Sequence, residues 1–142
     1  MGGAVDAPPE PIVIVLPGVV MPTLNDVLRL HWAKRLAAVL AMAWYVRAAR
    51  GRLGLPAAPI ERARLVIVRA SAGRAPDHDG LVGGCKSLID VLLTFHPKVR
   101  PYGLGFIRDD DPDHLWLEVH AKRVARDAVG MTLTITTLGS DA

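Results

Sequence analysis

The chain has one cysteine, few aromatic residues and no long hydrophobic run, and each shortage excludes a class of protein. Cys85 is the only cysteine among 142 residues, so no disulfide can form within the chain and no Cys/His spacing typical of zinc appears. The longest uninterrupted apolar run, residues 36–46, has 11 residues, whereas a membrane-spanning helix needs about 20. We therefore expect a cytoplasmic protein that makes no membrane contact.

The composition indicates one folded domain. Hydrophobic residues make up 51% of the chain and charged residues 22%, which is enough apolar material for a single core and too little charge for disorder. Residues 1–10 and 139–142 have no hydrophobic periodicity and are expected to fray. We predict a single domain over residues 1–142.

Hydrophobic periodicity predicts the order β-α-β-α-β-β. Strands are expected at residues 12–16, 63–70, 114–122 and 131–137, and helices at 26–50 and 79–95. This order predicts an α+β fold with two main helices on a mixed sheet. Residues 36–46 are apolar on every side of the first helix, so this half must be buried either at the centre of the domain or in a subunit interface. In so small a domain, the interface favours a homodimer.

The most informative feature is the charge of residues 77–113, which we call the acidic window. The window contains seven Asp and four Lys or Arg, while the rest of the chain contains seven acidic and thirteen basic residues. Crowded carboxylates repel one another unless a cation or a proton holds them together. The contrast therefore indicates a divalent metal site in a protein that meets a polyanion.

Helical spacing brings part of the acidic window together. Four residues of the second predicted helix follow spacings of 4, 3 and 4 and share one face: Asp79, Gly83, Lys86 and Asp90. Asp77 precedes that helix by two residues, so its carboxylate can reach the same point as that of Asp79. Converging Asp residues suit Mg²⁺, which prefers oxygen ligands and keeps water and phosphate among them. A lysine on this face would place a fixed positive charge on a scissile phosphate.

Each of these features also has an ordinary structural explanation. Asp-x-Asp before a helix is often a helix cap, and Lys86 with Asp90 is the spacing of a surface ion pair. The run Asp109-Asp110-Asp111-Pro112 could be a solvated turn. Their combination on one basic chain favours the metal site.

The acidic window resembles the RusA family of Holliday-junction resolvases, especially its phage-type branch. The resemblance rests on Asp-x-Asp-Gly-Leu-x4-Lys-x3-Asp from Asp77 to Asp90 and on Asp-Asp-x-Pro-x-His from Asp109 to His114. The element Pro22-Thr23-Leu24-Asn25 also resembles the N-terminal motif of that family. The similarity covers about residues 16–137, and it is compatible with a cellular or a phage-encoded gene.

The resemblance implies a homodimeric, Mg²⁺-dependent endonuclease, with Mn²⁺ as a substitute metal, that cuts four-way DNA junctions by paired nicks. It implies that Asp77, Asp79 and Asp110 bind the metal and that Lys86 is catalytic. Asp90, Asp109 and Asp111 are further candidate ligands. Two departures from the family are Gly80, where Asn is common, and a lysine three residues further along than in the best-known bacterial form; the phage-type branch shares the longer spacing.

Basic side chains are the predicted contacts to the DNA backbone. The candidates are Arg29, His31, Lys34, Arg35, Arg74 and Arg108, of which Arg74 and Arg108 stand close to the acidic motifs; a wider set adds Arg47, Arg62, Arg64, Arg69 and Arg100. Such contacts are sequence-independent and sensitive to salt. Two other functions stay open: a junction-binding protein without catalysis, and a Ca²⁺-stabilised structural protein with no nucleic-acid role.

Overall fold

The computed structural model describes residues 10–20, 32–73 and 78–139. The described residues form four strands: β1 (Ile12–Pro17), β2 (Ala63–Ser71), β3 (Leu115–Arg123) and β4 (Gly130–Thr137). They also form the helices α1 (Trp32–Arg50), α2 (His78–Gly84) and α3 (Lys86–Leu92). Short 3₁₀ turns follow α1 at Gly51–Leu53 and lie between β3 and β4 at Arg126–Ala128. No helix in these ranges is long and apolar enough to cross a membrane.

The strands form one mixed sheet in the order β1-β4-β2-β3, so the predicted α+β class is confirmed. β4 pairs antiparallel with β1 and with β2, while β2 and β3 run parallel. Parallel neighbours need a crossover connection, and α2 and α3 lie in the connection between β2 and β3. The crossover therefore places the acidic window beside the edge strand β3.

One face of the sheet carries the core and the other is open. Alternation sends residues such as Leu65, Ile67 and Leu133 to the covered face, where each is fully buried. α1 packs on β1 and α3, which closes this side of the domain. On the open face, Val13 and Val15 of β1 stay about half exposed. The result is a two-layer domain in which helices cover one side of the sheet.

The second predicted helix is wrong in two respects. We expected one helix over residues 79–95, but the structure breaks it at Cys85 and ends it at Leu92. The Cys85 amide bonds to the Val82 carbonyl three residues earlier, which tightens the last turn of α2. Gly83 and Gly84, poor helix formers, precede the break. α3 then begins as a separate short helix.

Residues 36–46 are buried on one side only within the chain. Val39, Met42, Ala43 and Val46 face the core. Leu40 and Trp44 are 50% and 66% exposed. The prediction that this stretch is buried on every side is therefore not met within the chain itself. The predicted start of this helix at residue 26 lies outside the described residues, as does the Pro22 to Asn25 element.

Candidate functional site

The segment after α3 is fixed by backbone hydrogen bonds, and this explains where the second acidic cluster lies. The amides of Leu104, Phe106 and Ile107 donate to carbonyls of α3 residues, and Arg108 N–H donates to the Ile60 carbonyl at 3.0 Å. The side chain of Phe106 is fully buried and anchors the segment in the core. Residues 109–113 consequently lie next to the start of α3.

Lys86 lies between two carboxylates. Its Nζ is 3.0 Å from Asp90 Oδ1 and 3.1 Å from Asp110 Oδ2. Asp90 is one helical turn further along α3, whereas Asp110 comes from the segment after it. Helical spacing therefore predicted the first contact, and the tertiary fold supplies the second. Two carboxylates converge on one cationic position at the surface.

Electrostatics keep Lys86 and Asp110 ionised near neutral pH. Burial alone would lower the pKa of Lys86, but the hydrogen bonds to Asp90 and Asp110 outweigh it and raise that pKa above its usual 10.5. The hydrogen bond from Lys86 holds the pKa of Asp110 below its usual 3.8. Lys86 is therefore a permanent cation and hydrogen-bond donor, and it cannot serve as a general base at neutral pH.

Lys86 and Asp110 border a cleft of about 260 Å³, which we call the Lys86 cleft. Its lining consists of Val82, Gly83, Lys86, Ile89, Asp110, Leu115 and Leu117. The lining is therefore charged at Lys86 and Asp110 and otherwise apolar. Gly83 contributes no side chain, so a bulky polar group can approach Lys86 and Asp110 closely.

The three neighbouring aspartates after residue 108 have different partners. Asp110 reaches Lys86, whereas the Asp109 carboxylate accepts a hydrogen bond from the amide of Asp110 at 2.8 Å. The Asp111 carboxylate lies 2.7 Å from Nδ1 of His114 and accepts a hydrogen bond from the Asp113 amide at 2.9 Å. The hydrogen bond with His114 lowers the pKa of Asp111. Asp110 is thus the member of this run that faces the Lys86 cleft.

The other predicted ligands are placed only in part. Asp77 lies outside the described residues, and Asp79 is described only as a backbone position in the first turn of α2. That position is one helical turn before Gly83, which lines the Lys86 cleft. Within the part of the chain that the structure describes, no three His, Cys, Asp or Glu residues form a metal-binding group. Metal binding by Asp77, Asp79 and Asp110, and by the further candidates Asp90, Asp109 and Asp111, stays a prediction.

The predicted DNA contacts divide into three groups. Arg29, His31 and Arg74 lie outside the described residues. Lys34, Arg35 and Arg108 are exposed, and Arg108 Nε lies 3.8 Å from a carboxylate oxygen of Glu61. In the wider set, Arg69 is only 7% exposed on the covered face of β2, so the hypothesis of a direct phosphate contact is wrong for this residue.

Sequence reasoning missed one neighbour of Asp90, the side chain of Tyr102. Partial burial raises the pKa of Tyr102, and the nearby carboxylate of Asp90 raises it further. No spacing relates Tyr102 to Asp90, because an irregular segment brings it there. Cys85 is fully buried behind Lys86, and burial raises its pKa to about 11. Cys85 is therefore packed in the core like a small apolar residue.

Comparisons with known proteins add no family assignment. A scan of the chain against protein-family models finds no matching model. A search of curated proteins finds no match either.

Proposed function

We propose that the protein is an Mg²⁺-dependent, structure-selective DNA endonuclease that resolves four-way junctions. The observation that supports this best is the Lys86 ammonium between Asp90 and Asp110 at the wall of an open cleft. The resemblance of the acidic window to junction resolvases gives the substrate class. The basic remainder of the chain supports a polyanionic partner.

The donor set fits a hard divalent cation. Asp110 presents a partly exposed carboxylate to the cleft, and Asp79 stands one helical turn from the Gly83 lining. In the proposal these two residues and Asp77 hold the metal through carboxylate oxygens, which Mg²⁺ prefers. The bound ion would lower the pKa of a water molecule and stabilise charge on the phosphoryl oxygens.

The proposed role of Lys86 follows from the two carboxylates that surround its ammonium group. Its raised pKa keeps it protonated, so it donates hydrogen bonds and positive charge to the phosphate but takes no proton. Asp90 is one turn away on the same short helix and holds the ammonium at the cleft wall. Asp90 is therefore a positioning residue for Lys86. The apolar floor formed by Ile89, Leu115 and Leu117 suits the uncharged face of a sugar or base.

Backbone contacts would come from exposed cations outside the cleft. Lys34, Arg35 and Arg108 are the described members of the predicted set, and all three are exposed. Contacts of this kind release counterions, so binding should weaken steeply with added salt and depend little on sequence.

Two rival functions make different predictions. A catalytically inactive junction binder would use the same basic surface but cut nothing at any Mg²⁺ or Mn²⁺ concentration. A Ca²⁺-stabilised structural protein would use the acidic window to hold its own fold and would neither bind nor cut DNA.

One experiment separates the three. A labelled four-way junction is incubated with wild type, Asp79→Asn and Asp127→Asn. Asp127→Asn is the control, because Asp127 lies in the 3₁₀ turn between β3 and β4. Binding and Mg²⁺-dependent cleavage are measured on the same samples. We expect wild type and Asp127→Asn to bind and cut, and Asp79→Asn to bind without cutting, because the loss of one negative charge does not weaken attraction to phosphate. Binding without cleavage by wild type would support the inactive binder. Absence of both would overturn the proposal.

A further inference from the structure

An open groove between α1 and the segment after α3 concentrates the few aromatic residues of the chain. The chain has only three Trp, two Tyr and two Phe, and one of each kind lines this groove: Trp44, Tyr102 and Phe95. Its volume of about 350 Å³ is within the range of ligand pockets, about 300–1,000 Å³. Trp44 and Phe95 are 66% and 56% exposed, and large apolar side chains exposed together mark a binding surface. We call it the aromatic groove.

The Phe95 wall of the aromatic groove is held by a tight hairpin. The His96 amide donates to the Arg100 carbonyl at 3.0 Å, and the Arg100 amide donates to the His96 carbonyl at 2.9 Å. Nδ1 of His96 accepts hydrogen bonds from the amides of Lys98 and Val99 at 3.1 and 3.0 Å. Because the turn is closed by its own hydrogen bonds, Phe95 is in place before a ligand arrives, which lowers the cost of binding.

The opposite wall belongs to α1. Trp44 and Arg47 are three residues apart and so share one side of the helix, and both line the aromatic groove. The Trp44 ring contacts the ring of Tyr45 edge to face, with 5.6 Å between the ring centroids. Arg47 is exposed, and its guanidinium can stack on a planar ring or bond to a phosphate. The wall therefore presents one aromatic ring and one cation to a ligand.

The two elements that form the aromatic groove carry positive charge only. α1 contains no acidic residue, and its last turn contains Arg47 and Arg50. Between Asp90 and Asp109 the chain likewise has no Asp or Glu and has three Lys or Arg residues. An anionic ligand is therefore attracted from both sides. Aromatic rings among cations suit a nucleotide, because the rings stack on the base and the cations contact the phosphates.

The aromatic groove adjoins the Lys86 cleft. Leu104 lines the groove, and its amide donates to the carbonyl of the residue after Asp90 at 2.8 Å. Tyr102 lines the groove as well, and burial and the Asp90 carboxylate raise its pKa. The cations Arg100 and Lys86 oppose this rise, so their charges also lie near the Tyr102 hydroxyl. A strand with one phosphate at Lys86 can consequently place a neighbouring base in the groove.

Trp116 on the open sheet face is the main alternative site for a base, and it is less suited. It is 63% exposed, but it is the only Phe, Trp or Tyr in the four strands. The Glu118 carboxylate lies on the same face and pairs with Arg64 at 2.7 Å. A base at Trp116 would therefore meet one ring and a nearby negative charge. The aromatic groove offers three rings and no carboxylate among its described lining residues.

We propose that the aromatic groove binds an unpaired nucleobase of a DNA strand whose backbone passes the Lys86 cleft. The identity of the ligand rests on the proposed endonuclease function. The base stacks on Trp44 and Phe95, and Arg47 contacts an adjacent phosphate. Every base has a face that can stack, so the groove recognises an unpaired base without reading the sequence. A base that is paired and stacked inside a duplex cannot enter, so the groove distinguishes opened or branched DNA from continuous duplex.

Fluorescence anisotropy without metal tests this site separately from cleavage. The labelled probes are a single-stranded oligothymidylate and a blunt duplex. Trp44→Leu removes the ring but keeps an apolar side chain, Trp44→Phe keeps a ring, and Trp116→Leu is the matched control on the open sheet face; circular dichroism checks that each variant is folded. We expect Trp44→Leu to weaken single-strand binding at least about fivefold. Trp44→Phe and Trp116→Leu should bind the single strand like wild type, and all four proteins should bind the duplex alike.

Photochemical cross-linking gives a second readout that needs no variant. An oligothymidylate carrying one 5-iodouracil is irradiated in complex with wild type, and the cross-linked residues are identified by mass spectrometry. We expect cross-links to Trp44, Phe95 or Tyr102, because these rings would lie against the base. Cross-links confined to residues outside the groove, such as Trp116, would overturn the proposal.

The binding data separate failure of this inference from failure of the proposed function. A protein that binds and cuts junctions, but whose single-strand affinity Trp44→Leu leaves unchanged, would overturn the inference alone. Single-strand binding that depends on Trp44, without any cleavage of junctions, would overturn the proposed function and support the groove as a base-binding site. Sedimentation of wild type and Trp44→Leu covers the remaining occupant. A change of oligomeric state in this variant would assign the groove to a second copy and overturn the inference.

Discussion

At the scale of single residues, the proposed chemistry depends on one ammonium group shared by two carboxylates. Lys86 is 58% exposed, while Asp90 and Asp110 are 21% and 37% exposed. Exposed ion pairs contribute little to folding, about 0–1 kcal/mol. The arrangement is therefore better explained by what it presents to a ligand than by the stability that it adds.

Replacing the lysine separates these two contributions. We expect Lys86→Met to slow junction cleavage by about 100-fold or more, the usual effect of removing a group that stabilises transition-state charge. The free energy of unfolding should change by less than about 1 kcal/mol. Single-turnover cleavage and urea denaturation measure the two quantities. Arg64→Met is the matched control, because it breaks the exposed ion pair with Glu118 on the open face. The assigned role of Lys86 would be contradicted if Lys86→Met left cleavage unaffected, or if Arg64→Met slowed cleavage equally.

The pH dependence of the Lys86–Asp110 pair has a definite sign. Because the pKa of Asp110 in the folded protein lies below its usual 3.8, the pair stabilises the fold above that pH and is lost as the pH falls through the lower folded value. Because the pKa of Lys86 is raised above 10.5, the pair also persists through alkaline pH until that folded value is reached. The difference in unfolding free energy between wild type and Asp110→Asn should therefore be constant from about pH 5 to 9 and decrease as the pH falls below 3.8. A difference that does not decrease as the pH falls below 3.8 would show that the ion pair is not its cause.

At the scale of elements, the position of the site depends on the break at Cys85 and on the segment that returns along α3. Gly103 lies where this segment passes closest to the end of the helix. A Cβ at this position would stand 2.7 Å from the Leu93 carbonyl oxygen and 2.8 Å from that of Thr94. These are backbone atoms, so the contact cannot be relieved by a side-chain rotation.

Gly103→Ala should therefore destabilise the protein by about 1–3 kcal/mol, the usual cost of forcing extra atoms into a packed site. Gly73→Ala is the matched control, since among the described residues no atom beyond its chain neighbours lies within 4 Å of its added Cβ. Thermal or urea unfolding of the two variants gives the comparison. Equal stabilities for Gly103→Ala and Gly73→Ala would mean that this segment is not packed as described.

The sequence predicts elements and local contacts better than it predicts where they meet. Alternation located all four strands, and the 3.6-residue period placed Lys86 beside Asp90, because both signals are local. The contact between Lys86 and Asp110 spans 24 residues, and it depends on hydrogen bonds from Leu104 to Ile107 that no periodicity encodes. Gly83 and Gly84 were a local signal for the break at Cys85. The apolar spacing continues across this break, however, and therefore predicted a single helix.

At the scale of the whole molecule, a basic chain with an acidic window should respond to salt through two opposed effects on DNA binding. In the proposed function, exposed cations outside the Lys86 cleft attract the DNA backbone. Raising the ionic strength should therefore weaken the complex with DNA. The acidic window acts in the opposite sense, because its carboxylates repel DNA until a cation neutralises them.

The most direct test of this account is whether the Asp110 carboxylate helps to bind a divalent cation. Mn²⁺ binding to the free protein is measured by electron paramagnetic resonance for wild type, Asp110→Asn and the control Asp127→Asn. We expect wild type and Asp127→Asn to bind Mn²⁺ alike and Asp110→Asn to bind at least about tenfold more weakly, the loss typical of a removed metal ligand or its support. Wild type that binds no Mn²⁺, or Asp110→Asn that binds as tightly as wild type, would contradict the proposed metal site.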